Sequence, residues 1–206
     1  MRIVIATGNP HKVDEIRAVL APMGFAVVSL SELGRPVPAE PDEPGSTFEE
    51  NARIKARYYA AALGEAVLAD DSGLEVDALQ GAPGVHSAYW AGTEGSRADR
   101  DARNNATLVG SMRGIPVEQR GARFVCTMCI ATPDGMVHIE TRGEFDGVIA
   151  DEPRGVHGFG YDPHLWLPQR GMTSAELSPD EKNALSHRGR AVRRLAYLLI
   201  HKRISW

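Results

Sequence analysis

The sequence predicts an α/β fold, because short apolar runs that are typical of buried strands alternate with amphipathic helical segments. Residues 3–6 form the first apolar run, and residues 13–20 then carry apolar side chains at helical spacing. A capping box at residues 46–49 opens a second helix that ends near Leu63, and residues 67–69 form another apolar run directly after it. A chain of 206 residues, 43% of them hydrophobic, is expected to build one core and one domain.

The middle of the chain continues this alternation. Residues 25–28 form a short strand, and residues 34–45 form a loop rich in proline and acidic residues. Residues 74–79 alternate like a strand, and a helix is expected from about Asp99 to Met112.

A hairpin and two helices follow towards the C-terminus. Residues 122–132 and 137–145 are two β runs, and the Pro-Asp-Gly sequence between them is a strong turn signal. Residues 178–181 form a second capping box with proline at the first helical position, and residues 191–199 carry the apolar side chains of a last helix that follows Gly189.

Charge and cysteine content argue against several classes of function. The formal net charge of −4 argues against a general surface for nucleic acid or acidic membranes. The two cysteines, Cys126 and Cys129, have a C-x-x-C spacing, but no second Cys or His pair at metal-binding spacing accompanies them. Residues three apart on a strand face opposite sides, so we expect two core cysteines in a reducing compartment. No secretory signal or membrane-spanning run is visible, and we expect a cytoplasmic protein.

Two adjacent carboxylates, Asp70 and Asp71, end the apolar run of residues 67–69, and Ser72 and Gly73 follow at once. Carboxylates that are buried together repel each other, and a structure tolerates them when a cation or a proton belongs to the site. The alternative is an Asp-Ser-Gly turn that ends the strand. Because adjacent strand residues face opposite ways, we expect the two carboxylates to have different tasks.

Cations recur near predicted helix starts, where the helix dipole disfavours them by roughly 0.3–1 kcal/mol. The cations are Lys12, Lys182, His187 and Arg188. A bound polyanion would reverse the sign of this effect, whereas solvated cations on ordinary capped helices are the alternative. Lys55, on a helix face lined with alanines, is either another solvated residue or a cation directed into a site.

The run from residue 153 to residue 163 mixes aromatic residues with glycines that allow close backbone approach. Phe159 and Tyr161 could flank a flat ligand, and Asp162 could accept a hydrogen bond from its N–H edge. The alternative is a loop whose aromatic side chains seal the core. Carboxylates, clustered cations and an aromatic loop together suit Mg²⁺, a phosphate chain and a planar base, and this combination predicts a nucleotide site.

The sequence resembles the inosine triphosphate pyrophosphatase family, which acts on non-canonical purine nucleoside triphosphates, and its bacterial branch fits best. The matching runs are ATGNPHK (6–12), TFEENARIKA (47–56), ADDSGLEVDAL (69–79), GAPGVHSA (81–88), GFGYDP (158–163) and EKNALSHRGRA (181–191). The chain departs from the family at Tyr89 and Trp90, where SARYAG is common, and at His164, where phenylalanine is common.

The resemblance implies a curved mixed central β-sheet flanked by helices, in a single domain (1–206) whose two lobes enclose the active-site cleft. It also implies a homodimer that uses Mg²⁺ to hydrolyse ITP, dITP and XTP to the monophosphate and pyrophosphate. Other modified nucleotides, or a nucleotide sensor without catalysis, are the alternatives.

The resemblance further implies roles for individual residues. Phosphate-binding positions are Thr7, Gly8, Asn9, Pro10, His11 and Lys12. Asp71 would be the proton acceptor and a metal ligand, Lys55 would face the phosphate chain, and Ser72 would contact substrate. The acidic loop offers Glu40, Asp42 and Glu43 as a second metal ligand, with Glu43 preferred, and Asp70 is a further candidate. Phe159 would stack on the base, Gly160, Tyr161 and Asp162 would complete that wall, and Lys182, His187 and Arg188 would bind substrate. His187 and Arg188 would lie near the base carbonyl, which adenine lacks.

Overall fold

The computed structural model describes residues 2–201, which form a seven-stranded mixed sheet and α-helices. The strands are β1 (Arg2–Ile5), β2 (Ala26–Ser29), β3 (Val67–Val76), β4 (Gly121–Ala131), β5 (Val137–Ile149), β6 (Leu165–Leu167) and β7 (Met172–Thr173). The α-helices of this part of the chain are α1 (Pro10–Leu20), α2 (Phe48–Leu63), α3 (Arg97–Ser111), α4 (Pro179–Leu185) and α5 (His187–His201). Strands and α-helices alternate from β1 to α3, whereas β4 to β7 follow one another and the last two helices come after them.

The strand order in the sheet is β2-β1-β3-β4-β5-β6-β7. β1 runs parallel to both β2 and β3, with Ile3 opposite Val27 and Val4 opposite Val67. β6 is antiparallel to β5 and to β7. The predicted α/β class with a mixed central sheet is therefore confirmed. The predicted hairpin is also present, because β4 and β5 are neighbours joined by a turn in which the Gly135 N–H donates to the Thr132 carbonyl at 2.8 Å.

The described residues divide into two compact units. Unit 1 comprises those of Met1–Asp71, Cys126–Gly143 and His187–Trp206, and unit 2 comprises Ser72–Val125 and Glu144–Ser186. The expectation of a single domain with two lobes and a cleft stays a prediction. None of the helices within residues 2–201 is long and apolar enough to cross a membrane.

The strands of unit 1 bury both faces, and successive residues alternate between two helical layers. Leu68 and Cys126 pack with apolar side chains of α1 and α5. Val67 and Cys129 pack with apolar side chains of α2 on the other face. Both thiols are free and buried, on the opposite faces that the sequence predicted.

Unit 2 has a core of its own. The second half of β3 contributes Leu74 and Val76, which cluster with Leu108 and Met112 from α3 and its C-terminal end and with apolar residues of β4 to β6. α3 begins two residues before its expected start, because Ser96 and Asp99 form a capping box around its first turn.

β3 does not end at the two carboxylates, and the alternative of an Asp-Ser-Gly turn is wrong. The strand continues through Ser72 and Gly73 to Val76. Gly73 is needed for a close approach, because a Cβ there would lie 2.5 Å from the Gly84 carbonyl oxygen and would overlap the Ser87 hydroxyl. That hydroxyl also accepts from the Leu74 N–H at 2.8 Å. Ser72 and Gly73, which commonly form turns, are thus part of a closely packed strand in this protein.

A second close approach fixes the start of α5. A Cβ at Gly143 in β5 would overlap the His187 carbonyl oxygen and lie 2.8 Å from the Ala191 nitrogen. The Thr141 hydroxyl of the same strand donates to the Ala191 carbonyl at 3.0 Å. The strand therefore holds in place the helix start that carries His187 and Arg188.

Gly143→Ala is expected to destabilise the protein by about 1–3 kcal/mol, because neither backbone group can move away from the added methyl group. Gly110→Ala is the matched control, since Gly110 is exposed in α3 and a Cβ there meets nothing within 4 Å. It should stabilise the protein by about 0.5–1 kcal/mol. The free energy of unfolding in urea measures both, and equal effects of the two variants would contradict the close approach.

Candidate active site

Asp70 is the most enclosed carboxylate of unit 1, with no exposed surface, and it faces the layer of α1 and α5. The Lys12 ammonium lies 3.0 Å from Asp70 Oδ2, and the Arg188 Nη2 and Nε atoms lie 3.3 and 3.4 Å from the same oxygen. Burial raises the pKa of Asp70, but Lys12, Arg188 and Lys55 together hold it at about 2. Asp70 is therefore a permanent negative charge that neutralises neighbouring cations.

Arg188 lies near the start of α5, as expected, with its guanidinium between two carboxylates. Nη1 is 2.6 Å from Glu15 Oε2 of α1, and the other end binds Asp70. The side chain is 1% exposed. Burial alone would lower the pKa of Arg188, but Glu15 and Asp70 raise it above its ordinary value. The structure thus gives this side chain structural partners in unit 1, and its contact with a base stays a prediction.

Asp71 faces the other side of β3, towards α2, and has the opposite protonation behaviour. Burial raises the pKa of Asp71 to about 6, because nearby Lys55 and Lys12 lower it only in part while Glu43 and Asp70 raise it further. Asp71 Oδ2 is buried and has no hydrogen-bond partner among the described residues. A carboxylate with these properties can accept a proton near neutral pH.

Lys55 lies beside this carboxylate on α2 and is buried, which rules out the solvated alternative. Its ammonium is 2.9 Å from Glu43 Oε1 and donates to the Asp70 carbonyl oxygen at 3.2 Å. Burial would lower the pKa of Lys55, but Asp71, Glu43 and Asp70 hold it above its ordinary value. Lys55 is thus a charged ammonium in a site lined by carboxylates.

A divalent metal ion fits this group of residues. No set of three or more His, Cys, Asp or Glu side chains within residues 2–201 is arranged to hold a metal by itself. Mg²⁺ does not require such a set, since one or two carboxylates combined with substrate phosphates and water are common. The buried Oδ2 of Asp71 is a suitable hard ligand, and Glu43 is close through Lys55. Asp70 suits a metal less well, because Lys12 and Arg188 already neutralise it.

Residues 7–12 form the turn into α1, whose N-cap is Asn9 as the sequence predicted. The Asn9 side chain accepts from the His11 N–H at 3.1 Å, and the Thr7 hydroxyl accepts from the Asn9 N–H at 3.2 Å. Exposed members of the run are Gly8, Pro10 and His11. Lys12 lies in the first turn, so the run presents a helix start and a cation to an anion.

Asp162 organises the aromatic loop of unit 2. Its Oδ2 accepts from the Phe159 N–H at 2.8 Å and lies 2.5 Å from the Lys182 ammonium, and its Oδ1 accepts from the Ser174 hydroxyl at 2.7 Å. Gly158 has a φ of +77°, and a Cβ there would overlap the Asp162 carboxylate. Asp162 is 2% exposed, so it could bind a base only by giving up one of these donors.

The two aromatic residues of the loop have different surroundings. Phe159 is half-buried, with the Arg97 Cζ and the Lys182 Nζ each 5.0 Å from the centroid of its ring. Tyr161 lies in the core of unit 2, and its hydroxyl donates to the Ser87 carbonyl at 2.9 Å. The core-sealing alternative therefore holds for Tyr161, whereas Phe159 presents its ring outside the core.

Lys182 is not in the position that sequence reasoning gave it. α4 has only seven residues, and Lys182 lies in its last turn, where the dipole favours a cation. His187 is the first residue of α5 and is buried, and Ser72 is half-buried in β3. The structure thus brings together Lys12, Lys55, Asp70 and Asp71 with Glu43 and Arg188 in unit 1, and Phe159, Asp162 and Lys182 in unit 2.

Sequence reasoning missed several partners of these residues. Glu15, which binds Arg188, looks like any exposed helix residue in the sequence. Arg97, Asp101 and Asn105 of α3 surround the aromatic loop. The sequence did contain a pattern that could have identified Arg97. Arg97 is a cation directly after the N-cap Ser96 of α3, just as Lys12 is a cation three residues after the N-cap Asn9 of α1.

Comparison with known proteins gives consistent matches along the chain. The profile of the Ham1 family matches residues 3–198. The dITP/XTP pyrophosphatases of an Exiguobacterium strain (AT1b) and of Nitratidesulfovibrio vulgaris are each 52% identical, over 95% of this chain and 95% and 94% of their own. Among solved structures, a HAM1 protein from Coxiella burnetii superposes with a TM-score of 0.85 at 38% identity, covering 98% of this chain and 99% of its own. The Staphylococcus aureus Ham1 protein gives 0.81 at 38% identity, over 98% and 100%.

We expect Asp71→Asn to be more stable than the unaltered protein at pH 8, without metal, and to show a smaller difference at pH 4. The folded pKa of about 6 lies above the ordinary value of 3.8, so this carboxyl stabilises the fold below about pH 4 and loses that contribution as pH rises through 6. The variant removes the cost of burying the ionised form, which is up to about 3 kcal/mol. Urea unfolding with a chelator present at both pH values measures the difference.

Asp70→Asn is the matched control with the opposite sign. Its depressed pKa of about 2 means that ionised Asp70 stabilises the fold above about pH 4, and that this is lost as pH falls towards 2. The variant should therefore lose stability at pH 8, by about 3–5 kcal/mol because two cations lose their buried partner. If both variants shift stability in the same direction at pH 8, the assignment of opposite charge states to these neighbours is wrong.

Proposed function

Because the chain belongs to the Ham1 family, we propose that it hydrolyses the non-canonical purine nucleoside triphosphates ITP, dITP and XTP to the monophosphate and pyrophosphate. Relatives that are 52% identical over nearly the full chain are dITP/XTP pyrophosphatases. The observation that carries the chemistry is the buried Asp71 carboxylate, with its raised pKa, beside the ammonium of Lys55.

Asp71 is the proton acceptor in this proposal. A water molecule attacks the α-phosphorus, a new P–O bond forms, and the bond to the bridging oxygen of the β-phosphate breaks. The water proton passes to the Asp71 carboxylate, and pyrophosphate leaves with the bonding electron pair. Without a metal ion, a pKa of about 6 leaves Asp71 ionised at neutral pH and able to accept a proton.

The cations of unit 1 serve the phosphate chain. Lys12 and the turn of residues 7–12 bind phosphate oxygens, while Lys55 offsets negative charge that develops on the leaving group. The pairing of Lys12 with Asp70 holds the ammonium in a defined position. Such preorganisation reduces the reorganisation needed in the transition state.

Mg²⁺ is the cofactor in this proposal, with Asp71 Oδ2 as one ligand and Glu43 as the candidate for a second. These residues would hold the ion, which would supply charge neutralisation at the phosphate oxygens. Asp70 stays outside the metal site and keeps Lys12 and Arg188 in position.

Phe159 stacks on the purine, as its half-buried ring in a firmly tied loop supports. A donor at the purine 6-position favours the carbonyl of hypoxanthine and xanthine over the amino group of adenine. His187 is the candidate for that donor, since the Arg188 guanidinium is already held by Glu15 and Asp70. We further propose a homodimer in the cytoplasm, on the strength of the family resemblance.

Pyrophosphate release is the test of this function. ITP, dITP and XTP should be hydrolysed at least a hundredfold more efficiently than ATP in the presence of Mg²⁺, since discrimination by an unpaired buried donor is on the order of 10²-fold or more. A chelator should abolish release, and added Mg²⁺ should restore it. Faster release from dUTP or dTTP would favour a pyrimidine enzyme, and tight binding without release would favour a sensor.

Asp71→Asn should lower kcat by about 10²–10⁴-fold, because the amide cannot accept the proton, while nucleotide binding is retained. Asp77→Asn is the matched control, as Asp77 is an exposed carboxylate of unit 2 paired with Arg123. It should leave kcat within twofold of the unaltered protein. Turnover of Asp71→Asn close to that of the control would refute the role of Asp71.

A further inference from the structure

Arg97 lies over the ring of Phe159 although no family motif contains it. It is the first residue of α3, with its Cζ 5.0 Å from the ring centroid and its side chain 42% exposed. A cation at the first helical position is disfavoured by the helix dipole. The helix dipole therefore does not favour an arginine here, whereas the contact with the Phe159 ring does.

The loop and the helix are tied together so that this contact is fixed. The Gly160 N–H donates to Asp101 Oδ2 of α3 at 3.2 Å, and the Gly160 carbonyl accepts from Asn105 Nδ2 of the same helix at 3.0 Å. The N–H and the carbonyl of Gly160, the residue after Phe159, are thus bound to side chains that lie one and two helical turns after Arg97 in α3. Any ligand that stacks on Phe159 meets the charge of Arg97.

Arg97 differs from Lys182, the other cation over the ring, in how far its charge is neutralised. Lys182 is buried and lies 2.5 Å from Asp162. The nearest carboxylate to Arg97 is Asp101, at 3.8 Å from Nε, and that oxygen also accepts from Gly160. A longer, shared and more exposed contact neutralises a charge less, so positive potential remains at the ring face.

We propose that Arg97 is a specificity-determining residue that favours XTP over ITP. The inference rests on the proposed function, in which the purine stacks on Phe159. Xanthine carries a second carbonyl group and loses a ring proton near neutral pH, so that its base is an anion, whereas hypoxanthine stays neutral. A base stacked on Phe159 lies within a Debye length of Arg97, so its negative charge is attracted. The positive charge of Arg97 does not attract hypoxanthine in this way, because that base is neutral.

The test compares kcat/KM for XTP and ITP, which share the ribose and the phosphate chain, at pH 8. Arg97→Met removes the charge and keeps an unbranched side chain, and it should lower kcat/KM for XTP about three- to tenfold more than for ITP. Arg97→Lys keeps the charge and should retain most of the preference. Arg100→Met is the matched control, because Arg100 lies one turn on in α3, with its Cζ 5.7 Å from the Tyr89 ring, and it should change both substrates equally.

Outcomes separate the inference from the function on which it rests. An unchanged ratio of XTP to ITP in Arg97→Met, with normal release from both by the unaltered protein, overturns the inference alone. A similar loss of preference in Arg100→Met also overturns it, since the effect would then come from general surface charge. Release from neither nucleotide by the unaltered protein overturns the proposed function itself.

Discussion

The ion pairs of Asp70 with Lys12 and Arg188 are the interaction on which unit 1 depends. They join β3 to α1 and α5 at a point without solvent, and Glu15 extends the network to the far side of Arg188. Buried pairs of this kind contribute little net stability, because desolvation offsets most of the attraction. Breaking one is costly, however, so the network specifies a single arrangement of three elements and fixes a lysine where phosphate is expected.

The period of a strand then separates two adjacent aspartates into different chemical roles. Asp70 faces cations and stays ionised far below neutral pH, whereas Asp71 faces a mixed environment and titrates near pH 6. One peptide bond thus divides a structural anion from a candidate base. The division requires the strand to continue unbroken through both residues, which the close packing at Gly73 ensures.

Sequence patterns predicted what depends on local spacing. They identified the α/β class, the hairpin and the opposite faces of Cys126 and Cys129. The roles that they assigned to Lys12, Asp71 and Phe159 stay predictions. Tertiary packing decides two positions at which the sequence left alternatives open. Gly73, a possible turn former, lies within β3, and Tyr161 packs in the core of unit 2, while its contact with a ligand stays a prediction. The sequence could not predict the contacts of Glu15 and Asp101. Glu15 binds Arg188, which is far away in sequence, and Asp101 binds a loop whose position no local pattern defines.

The two buried thiols of β4 can report on local unfolding of unit 1, because they lie on opposite faces of the sheet. Burial raises the pKa of both to about 12, so neither is a reactive thiolate in the folded chain. An alkylating reagent reaches Cys126 only when α1 and α5 leave the sheet, and it reaches Cys129 only when α2 does. One strand therefore carries two natural reporters of local unfolding, one for each helical layer, without any label having to be introduced.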